Sequence, residues 1–324
     1  MRAAASAAVA TSRPRARWRA GEWRGLLAIC DAPDFDAGTF TVVIFSVQPA
    51  MSTAVAVAGI IALGAWRSKS LTQNGAFAAF AVGVLAMRAG WAWGAFLVAW
   101  FAIAALISRV GRRVKAARMF GVVAKGAERD ARQVLANGGV FAFCAMLTLI
   151  VAQIDGFSIE THRLVEIGVA AAAAGALAAA GADTWATEFG TLIGGTPWSL
   201  RERRRVPVGT SGALSVAGSL AAIAGGIILA ALAAALHLIP LTVVPAVALS
   251  AVAGAFTDSL LGAWWQDRRW CPHCVMHTEQ VQHVCGTRTE RAGGIGVLDN
   301  DAVNFLCTLV GAALAAATVF THPR

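Results

Sequence analysis

GADTWATEFGTLIGGTPWSLRERRRVPVGTSG, residues 181–212, lies between two long apolar runs, residues 164–182 and 213–239. A helix that crosses a bilayer needs about 20 predominantly apolar residues, and both flanks meet that length. The stretch therefore reads as a polar segment joining two membrane helices. It holds an acid pair (Asp183, Glu188), a set of arginines (Arg201, Arg203, Arg204, Arg205) and a glycine turn (Gly209, Thr210, Ser211, Gly212). An Asp at the bilayer centre costs about 2.5–3.5 kcal/mol on insertion scales, so ionisable groups kept at helix ends are functional candidates. Carboxylates that can hold a cation, followed by guanidinium groups and a flexible turn, fit a phosphorylated ligand.

The composition agrees with a membrane setting. Hydrophobic residues make up 57% of the chain and charged residues 14%, whereas a soluble domain carries about a quarter charged. The chain reads as an all-α polytopic membrane protein with one integral membrane domain over residues 50–324. Its net charge of +9 gathers between apolar runs, a pattern of topology and contact with anionic lipid rather than of nucleic-acid binding. On that plain reading the arginines are anchors only. Three of the six cysteines fall within residues 271–285, and Cys30, Cys144 and Cys307 are scattered, so no disulfide framework is implied.

Residues 1–49 form a basic, alanine-rich arm with Arg13, Arg15, Arg17, Arg19 and Arg24, then an acidic patch at Asp31, Asp34 and Asp36. A secretory signal needs an apolar core of about 7–15 residues directly after its positive charges, and none follows here. Two readings stay open: a disordered cytosolic arm, or a leader ahead of a true start at Met51. Beyond it, apolar runs at 50–66, 75–87, 91–107, 136–154, 164–182, 213–239, 241–265 and 302–320 predict about eight transmembrane helices. The run at 75–87 is the shortest, and seven spans are the alternative.

Loop charges set the orientation. The link 108–135 carries Arg109, Arg112, Arg113, Lys115, Arg118, Lys125, Arg129 and Arg132, which places it in the cytoplasm. Alternation puts 66–74, 183–212 and 262–301 on that same side, and 155–163, 239–240 and Arg324 opposite. It also sends residues 1–49 outside against their arginines, a conflict that a start at Met51 removes. The expectation is a protein integral to the cytoplasmic (inner) membrane, with its functional loops on the cytoplasmic side.

Each polar segment then has a chemical and a plain reading. At 3.6 residues per turn, Asp183, Thr187 and Gly190 share a helix face, with Thr184 and Glu188 beside it. Mg²⁺ takes one or two carboxylates together with substrate phosphates; the plain alternative is a helix end solvated by headgroups. Asp258-Ser259 ends a second inward helix at the same depth. Arg204 and Arg205 lead into Gly209-Thr210-Ser211-Gly212, where Thr210 or Ser211 is a natural helix cap and the helix N-terminus offers N–H groups to an anion. No Gly-Lys pair occurs, so a Walker A loop is excluded. Asp299-Asn300-Asp301 opens the last helix, with Asp301 or Asn300 as cap; Asp299 and Asp301 are further candidate Mg²⁺ ligands. Gln133 and Asn137, four apart on one helix face, bond substrate or a neighbouring helix.

Cys271-Pro-His273-Cys274, then His277, His283 and Cys285, make a Cys/His-rich loop within residues 266–298. Structural zinc prefers four such ligands, often starting from a Cys-x2-Cys knuckle. The expected set is Cys271, Cys274 and Cys285, with His283 or His277 as the fourth. A structural rather than catalytic zinc fits, because no base lies near it in sequence.

From Trp66 to Phe320 the chain resembles the phytyl-phosphate kinase / transmembrane-protein-19 family. Six segments carry the likeness in order: Ser70-x3-Asn74-Gly75; Arg132-Gln133-Val-x-Ala-Asn137-Gly138-Gly139; Ala182-Asp183-Thr184-Trp-Ala-x-Glu188-x-Gly190; Val206-Pro-x-Gly209-Thr210-Ser211-Gly212; Asp258-Ser259-Leu-Leu-Gly262; and Asp299-Asn300-x2-Val-Asn304. Val208 and Ala213 depart from the Pro and Gly common there. The resemblance implies a membrane kinase that turns an isoprenoid (phytyl or prenyl) monophosphate into the diphosphate, with CTP or another nucleoside triphosphate as donor. Asp183, Glu188 and Asp258 would then hold Mg²⁺, while Arg204, Arg205, the Gly209–Gly212 turn and Asn137 would hold phosphate. The expected partners are membrane lipid, the isoprenoid phosphate and the nucleotide. A transporter of a lipid or small solute is the competing reading, but its ionisable residues should sit at the bilayer midplane on broken helices.

Overall fold

The computed structural model of the chain describes residues 48–122 and 128–321. The basic arm, except for its last two residues, and Arg324 lie outside them. In order, the elements are α1 (Met51–Arg67), α2 (Gln73–Ala89), α3 (Trp91–Arg109), α4 (Arg112–Arg118), α5 (Ala131–Val151), α6 (Ile159–Ile193), β1 (Trp198–Ser199), β2 (Ala213–Leu214), α7 (Val216–Ala235), a 3₁₀ turn (Leu241–Val243), α8 (Val244–Trp264), β3 (Arg268–Cys271), β4 (Met276–Thr278), β5 (Glu290–Gly293) and α9 (Asn300–Thr321).

Every apolar run is a helix. Among the described residues, six are long and apolar enough to cross a membrane: α3, α5, α6, α7, α8 with its 3₁₀ turn, and α9. The other two, α1 and α2, are 17 residues each, at the lower limit of about 17 for a span. The polytopic membrane fold holds, with six helices of spanning length and the shorter apolar α1 among the described residues.

α6 organises the bundle. Its 35 residues extend about 52 Å at 1.5 Å per residue, well beyond the roughly 30 Å of a hydrocarbon core. The turns from Asp183 to Ile193 are the excess, and they carry the acid pair. Around α6 pack α5, α7, α8 and α9, against a nearly continuous row of buried alanines from Ala170 to Ala182. Small residues let helix backbones approach in lipid. At Gly311 of α9 the approach is close: a Cβ there would lie 2.6 Å from the Ala179 Cβ and 2.6 Å from the Gly175 carbonyl oxygen. A side chain at that position would push α9 off α6.

The all-α expectation needs one addition. Residues 266–298 fold as a small antiparallel sheet in the order β4-β3-β5, and β1 pairs with β2 as a second, shorter one. The caps also differ from expectation. α7 is capped not at Thr210 or Ser211 but a few residues later, at Ser215, whose hydroxyl accepts from the Gly218 N–H at 3.1 Å. β2 intervenes between the glycine turn and the helix. α9 is capped by Asp299, which accepts from the Ala302 N–H at 3.1 Å, not by Asn300 or Asp301.

Candidate functional site

One cavity of about 1520 Å³ collects polar residues from almost every element. Ser70 comes from the α1–α2 link, Ser108 from the end of α3, Lys115 from α4 and Asn137 from α5. The far end of α6 supplies Asp183 and Thr187, the loop before α7 supplies Gly209 to Gly212, and α8 supplies Asp258. Glu279 follows β4, and Asp299 and Asp301 open α9; both segments also line the cavity. Helix ends far apart in sequence thus meet on one face of the bundle.

The motif glycines explain how. Gly212, at φ +71°, sits on the end of α8, where a Cβ would meet the Ala263 Cα at 2.5 Å. Gly262 faces it, with its own Cβ position 2.8 Å from the Gly212 nitrogen. The glycine turn and the end of the Asp258 motif therefore touch backbone to backbone. Gly190 does the same service between α6 and α7: a Cβ there would lie 3.0 Å from the Ser215 Oγ and 3.5 Å from the Gly218 Cα. Of the face that Asp183, Thr187 and Gly190 share, the Gly190 end packs against the start of α7, and all three residues still line the cavity.

The carboxylates fall into two groups. Asp183, Asp258 and Glu279 converge: Asp183 and Glu279 are each near enough to Asp258 for their charges to act on it. Glu279 accepts from Gln266 Nε2 at 2.9 Å and from Ser211 Oγ at 3.2 Å, tying the β-sheet module to the glycine turn. Asp258 keeps one oxygen, Oδ2, buried with no hydrogen-bond partner among the described residues. The remaining acids are engaged elsewhere. Glu188 is ion-paired with the buried Lys115 and accepts from Ser108 Oγ at 2.5 Å. Asp299 pairs with Arg132 at 2.8 Å, and Asp301 lies 3.7 Å from the same guanidinium. A cation shared by Asp183, Asp258, Asp299 and Asp301 together is not the arrangement found, because these four do not close to within 4.8 Å of one another among the described residues. Asp183 is the one of them whose charge acts on Asp258.

The basic groups are redistributed too. Arg204 and Arg205 are exposed and do not line the cavity: Arg204 pairs with Glu202, and Arg205 donates to the Thr196 carbonyl at 2.9 Å. The turn that holds them is closed by the Ser199 N–H, which donates to the Arg204 carbonyl at 2.9 Å next to β1. Arg129 lines the cavity instead. Its guanidinium lies over the Phe101 ring at 5.8 Å and joins no ion pair among the described residues. Burial lowers its pKa from the ordinary value, and the Glu188 carboxylate acts in the opposite sense. Arginine keeps its proton in such places, so Arg129 is a partly buried cation facing a cavity. Its backbone is held by the α1–α2 link, with the Thr72 N–H donating to the Arg129 carbonyl at 3.0 Å and the Arg129 N–H to the Ser70 carbonyl at 3.1 Å.

Gln133 and Asn137 also line the cavity. Part of Gln133 is used locally, since its Oε1 accepts from the Asp130 N–H at 3.1 Å in a capping box at the start of α5. Asn137 donates Nδ2 to the Gln133 carbonyl at 2.9 Å. A second, apolar cavity of about 80 Å³ adjoins the first and shares Trp100, Phe101, Arg129, Gln133 and Asn137 with it. The Trp100 Nε1 at that junction is buried with no partner among the described residues.

The Cys/His loop forms a separate cluster. The ligand atoms of Cys271, Cys274, His283 and Cys285 all lie within 4.8 Å of one another. His277 stands apart, edge-on to Trp270 at 4.9 Å between ring centroids. Hydrogen bonds from Thr287 and then His283 bring the Cys285 thiol down to about 5, while the bond with Cys285 pushes Cys274 up to about 11.

Lining residues that carry no motif in the sequence include Lys115, Arg129 and Glu279. Lys115 and Arg129 were hidden in a basic loop that reads as topology. Glu279 belongs to no motif and reaches the site only because β3 and β4 fold back.

These features can be set beside known proteins. Residues 56–312 match the profile of the family described as integral membrane protein DUF92. The chain is 29% identical to Protein PGR of Arabidopsis thaliana over 272 residues, covering 79% of this chain and 92% of that protein. It is 25% identical to an uncharacterized membrane protein of Methanocaldococcus jannaschii over 253 residues, 78% of this chain and 87% of that one. Against the chloroplastic protein VTE6 of Arabidopsis thaliana the identity is 28% over 215 residues, 65% of this chain and 62% of VTE6. No solved structure matches the chain. The family likeness carried by the six motifs holds, and the chain belongs to the DUF92 family of integral membrane proteins.

Proposed function

We propose that the chain is a membrane phosphotransferase that converts an isoprenoid monophosphate, such as phytyl phosphate, to the diphosphate, with CTP or another nucleoside triphosphate as donor. One observation carries the reading: the large cavity contains polar atoms that the protein leaves unsatisfied. Asp258 Oδ2 and Trp100 Nε1 are buried without partners among the described residues, and both residues line the cavity. A buried polar group left unpaired costs about 1–3 kcal/mol, so a ligand that supplies a cation to Asp258 and an acceptor to Trp100 offsets that cost.

The chemistry asks little more. A phosphate oxygen of the isoprenoid substrate attacks the γ-phosphorus, and the bond from that phosphorus to the β–γ bridging oxygen breaks. The nucleoside diphosphate departs with the electron pair. An ionised phosphate oxygen needs no base to activate it, which suits a cavity lined by no histidine among the described residues. Such transfer rests on positioning and charge neutralisation. Asp183 and Asp258 would hold Mg²⁺, which neutralises the phosphate oxygens. Arg129 supplies a guanidinium to a phosphate, and the Gly209–Gly212 turn offers close backbone approach. The adjoining apolar cavity takes the first carbons of the prenyl chain, and the rest lies among helices and lipid. The site faces the cytoplasm, where nucleotides are.

The test is transfer of label from γ-³²P nucleoside triphosphates to a panel of prenyl monophosphates by the detergent-purified chain. A labelled prenyl diphosphate is the expected product. Its absence with every donor and acceptor, alongside no binding of Mg-nucleotide, would favour a transporter over a kinase.

A further inference from the structure

We infer that Cys271, Cys274, His283 and Cys285 form a structural zinc site that fixes the 266–298 module as one wall of the large cavity. Two Zn–S bonds of about 2.3 Å at a tetrahedral angle place their sulfurs about 3.8 Å apart, and a sulfur and a nitrogen about 3.6 Å apart. Cys271 and Cys285 have their sulfurs 3.7 Å apart, and His283 Nδ1 lies 3.3 Å from the Cys285 sulfur. A disulfide would need about 2.05 Å between sulfurs, so these are thiols gathered without bonding. All four ligand atoms lie within one small sphere, two of the side chains being buried and two exposed.

Two turns present the ligands. In the first, the Cys274 N–H points back to the Cys271 sulfur at 3.4 Å, the N–H to S bond that a knuckle turn makes to its own thiolate. Val275 completes that reversal at φ +53°, and Cys271 pairs with Met276 across β3 and β4. In the second turn, the Gly286 N–H donates to the His283 carbonyl at 2.8 Å and the His283 N–H to the Thr287 carbonyl at 3.0 Å. A sheet of three strands, the longest four residues, has too little apolar area to hold two such turns face to face. A tetrahedral metal would do so.

The cluster is coupled to the cavity through short connections. Gln280, Val281, Gln282 and Val284 line the cavity from the segment leading into His283 and Cys285. Glu279 donates its N–H to the Val122 carbonyl at 2.8 Å, and Thr278 donates its hydroxyl to the same oxygen at 3.2 Å. Gly121, just before, packs on His283, where a Cβ would come 2.9 Å from Nε2. The metal therefore holds the position of Glu279 beside Asp258, and of the segment that follows α4. The inference does not depend on the kinase reading, since the wall exists whatever the cavity binds.

The experiment measures metal in the full chain purified without chelators, by inductively coupled plasma mass spectrometry. About one zinc per chain is expected, retained in His277→Ala and lost in Cys271→Ser/Cys285→Ser. To guard against misfolding of the double variant, zinc is also removed from the wild type with a strong chelator. Hydrogen exchange is then followed at residues 279–284 and 119–122. Exchange there should speed up at least about tenfold on removal, with the helix cores unchanged, and return on adding Zn²⁺. Wild type that neither retains nor takes up zinc, or a double variant that retains it, would overturn the site. Unchanged exchange on zinc removal would overturn the role as a wall.

Discussion

Asp183 on α6 and Asp258 on α8 line the same cavity and lie close enough for the charge of one to bear on the other. Two carboxylates held together in a partly buried place repel each other unless a cation stands between them. Replacing either by Asn should cut phosphoryl transfer by at least about a hundredfold. In the same variants the thermal midpoint of the ligand-free protein should rise, because the repulsion is gone. Activity assays and nano-differential scanning fluorimetry read the two effects separately. A fall in both would point to a purely structural pair.

Lys115 and Glu188 make a different kind of contact. Their side chains are 9% and 21% exposed, and removing one partner of such a buried pair costs about 3–5 kcal/mol. Lys115→Met and Glu188→Gln should each lower the thermal midpoint clearly. The double variant should recover much of the loss, since no lone charge remains. A thermodynamic double-mutant cycle checks this; additive single effects would mean that the pair is not coupled.

The arginines divide sharply. Arg129 borders the cavity, so Arg129→Met should raise KM for the phosphorylated substrate at least about tenfold. Arg204 and Arg205 bond Glu202 and Thr196 outside it. Arg204→Ala and Arg205→Ala should leave kcat/KM within about twofold of wild type, as exposed pairs contribute little. Steady-state kinetics of the three variants decides between this assignment and the one that spacing alone favoured.

Gly212→Ala and Gly195→Ala test backbone contact against backbone conformation. Both positions have positive φ, +71° and +63°, which costs a residue with a Cβ about 1–2 kcal/mol. Only Gly212 also meets the Ala263 backbone; Gly195 has nothing within 4 Å. Gly195→Ala should show the modest cost alone. Gly212→Ala should displace the glycine turn from α8 and lose most activity. Equal behaviour of the two would remove the packing argument for the turn.

Much of this was legible in the sequence. Apolar runs marked every membrane helix, because a bilayer demands length and hydrophobicity in one uninterrupted piece. Helix direction alone brings the motif acids Asp183 and Asp258 to the same end of the bundle, where both line the cavity. Less legible were interactions set by neighbours from other segments. Glu188 sits one turn from Asp183 and looks equivalent to it, yet Lys115 occupies it from α4. Gly190 shares a helix face with Asp183 in sequence, but its contact with Ser215 and Gly218 shows only once α7 is laid against it. Thr210 and Ser211 are good caps by type, but β2 postpones the helix to Ser215. Glu279 had no local signal, because its role depends on a hairpin that carries it back to the cavity.

The most direct test of the shared-cation site is Mn²⁺ binding to the purified chain, followed by electron paramagnetic resonance in the presence and absence of nucleotide. One Mn²⁺ bound more tightly with nucleotide present, and lost in both Asp183→Asn and Asp258→Asn, is the expected result. Binding that survives unchanged in both variants would contradict it.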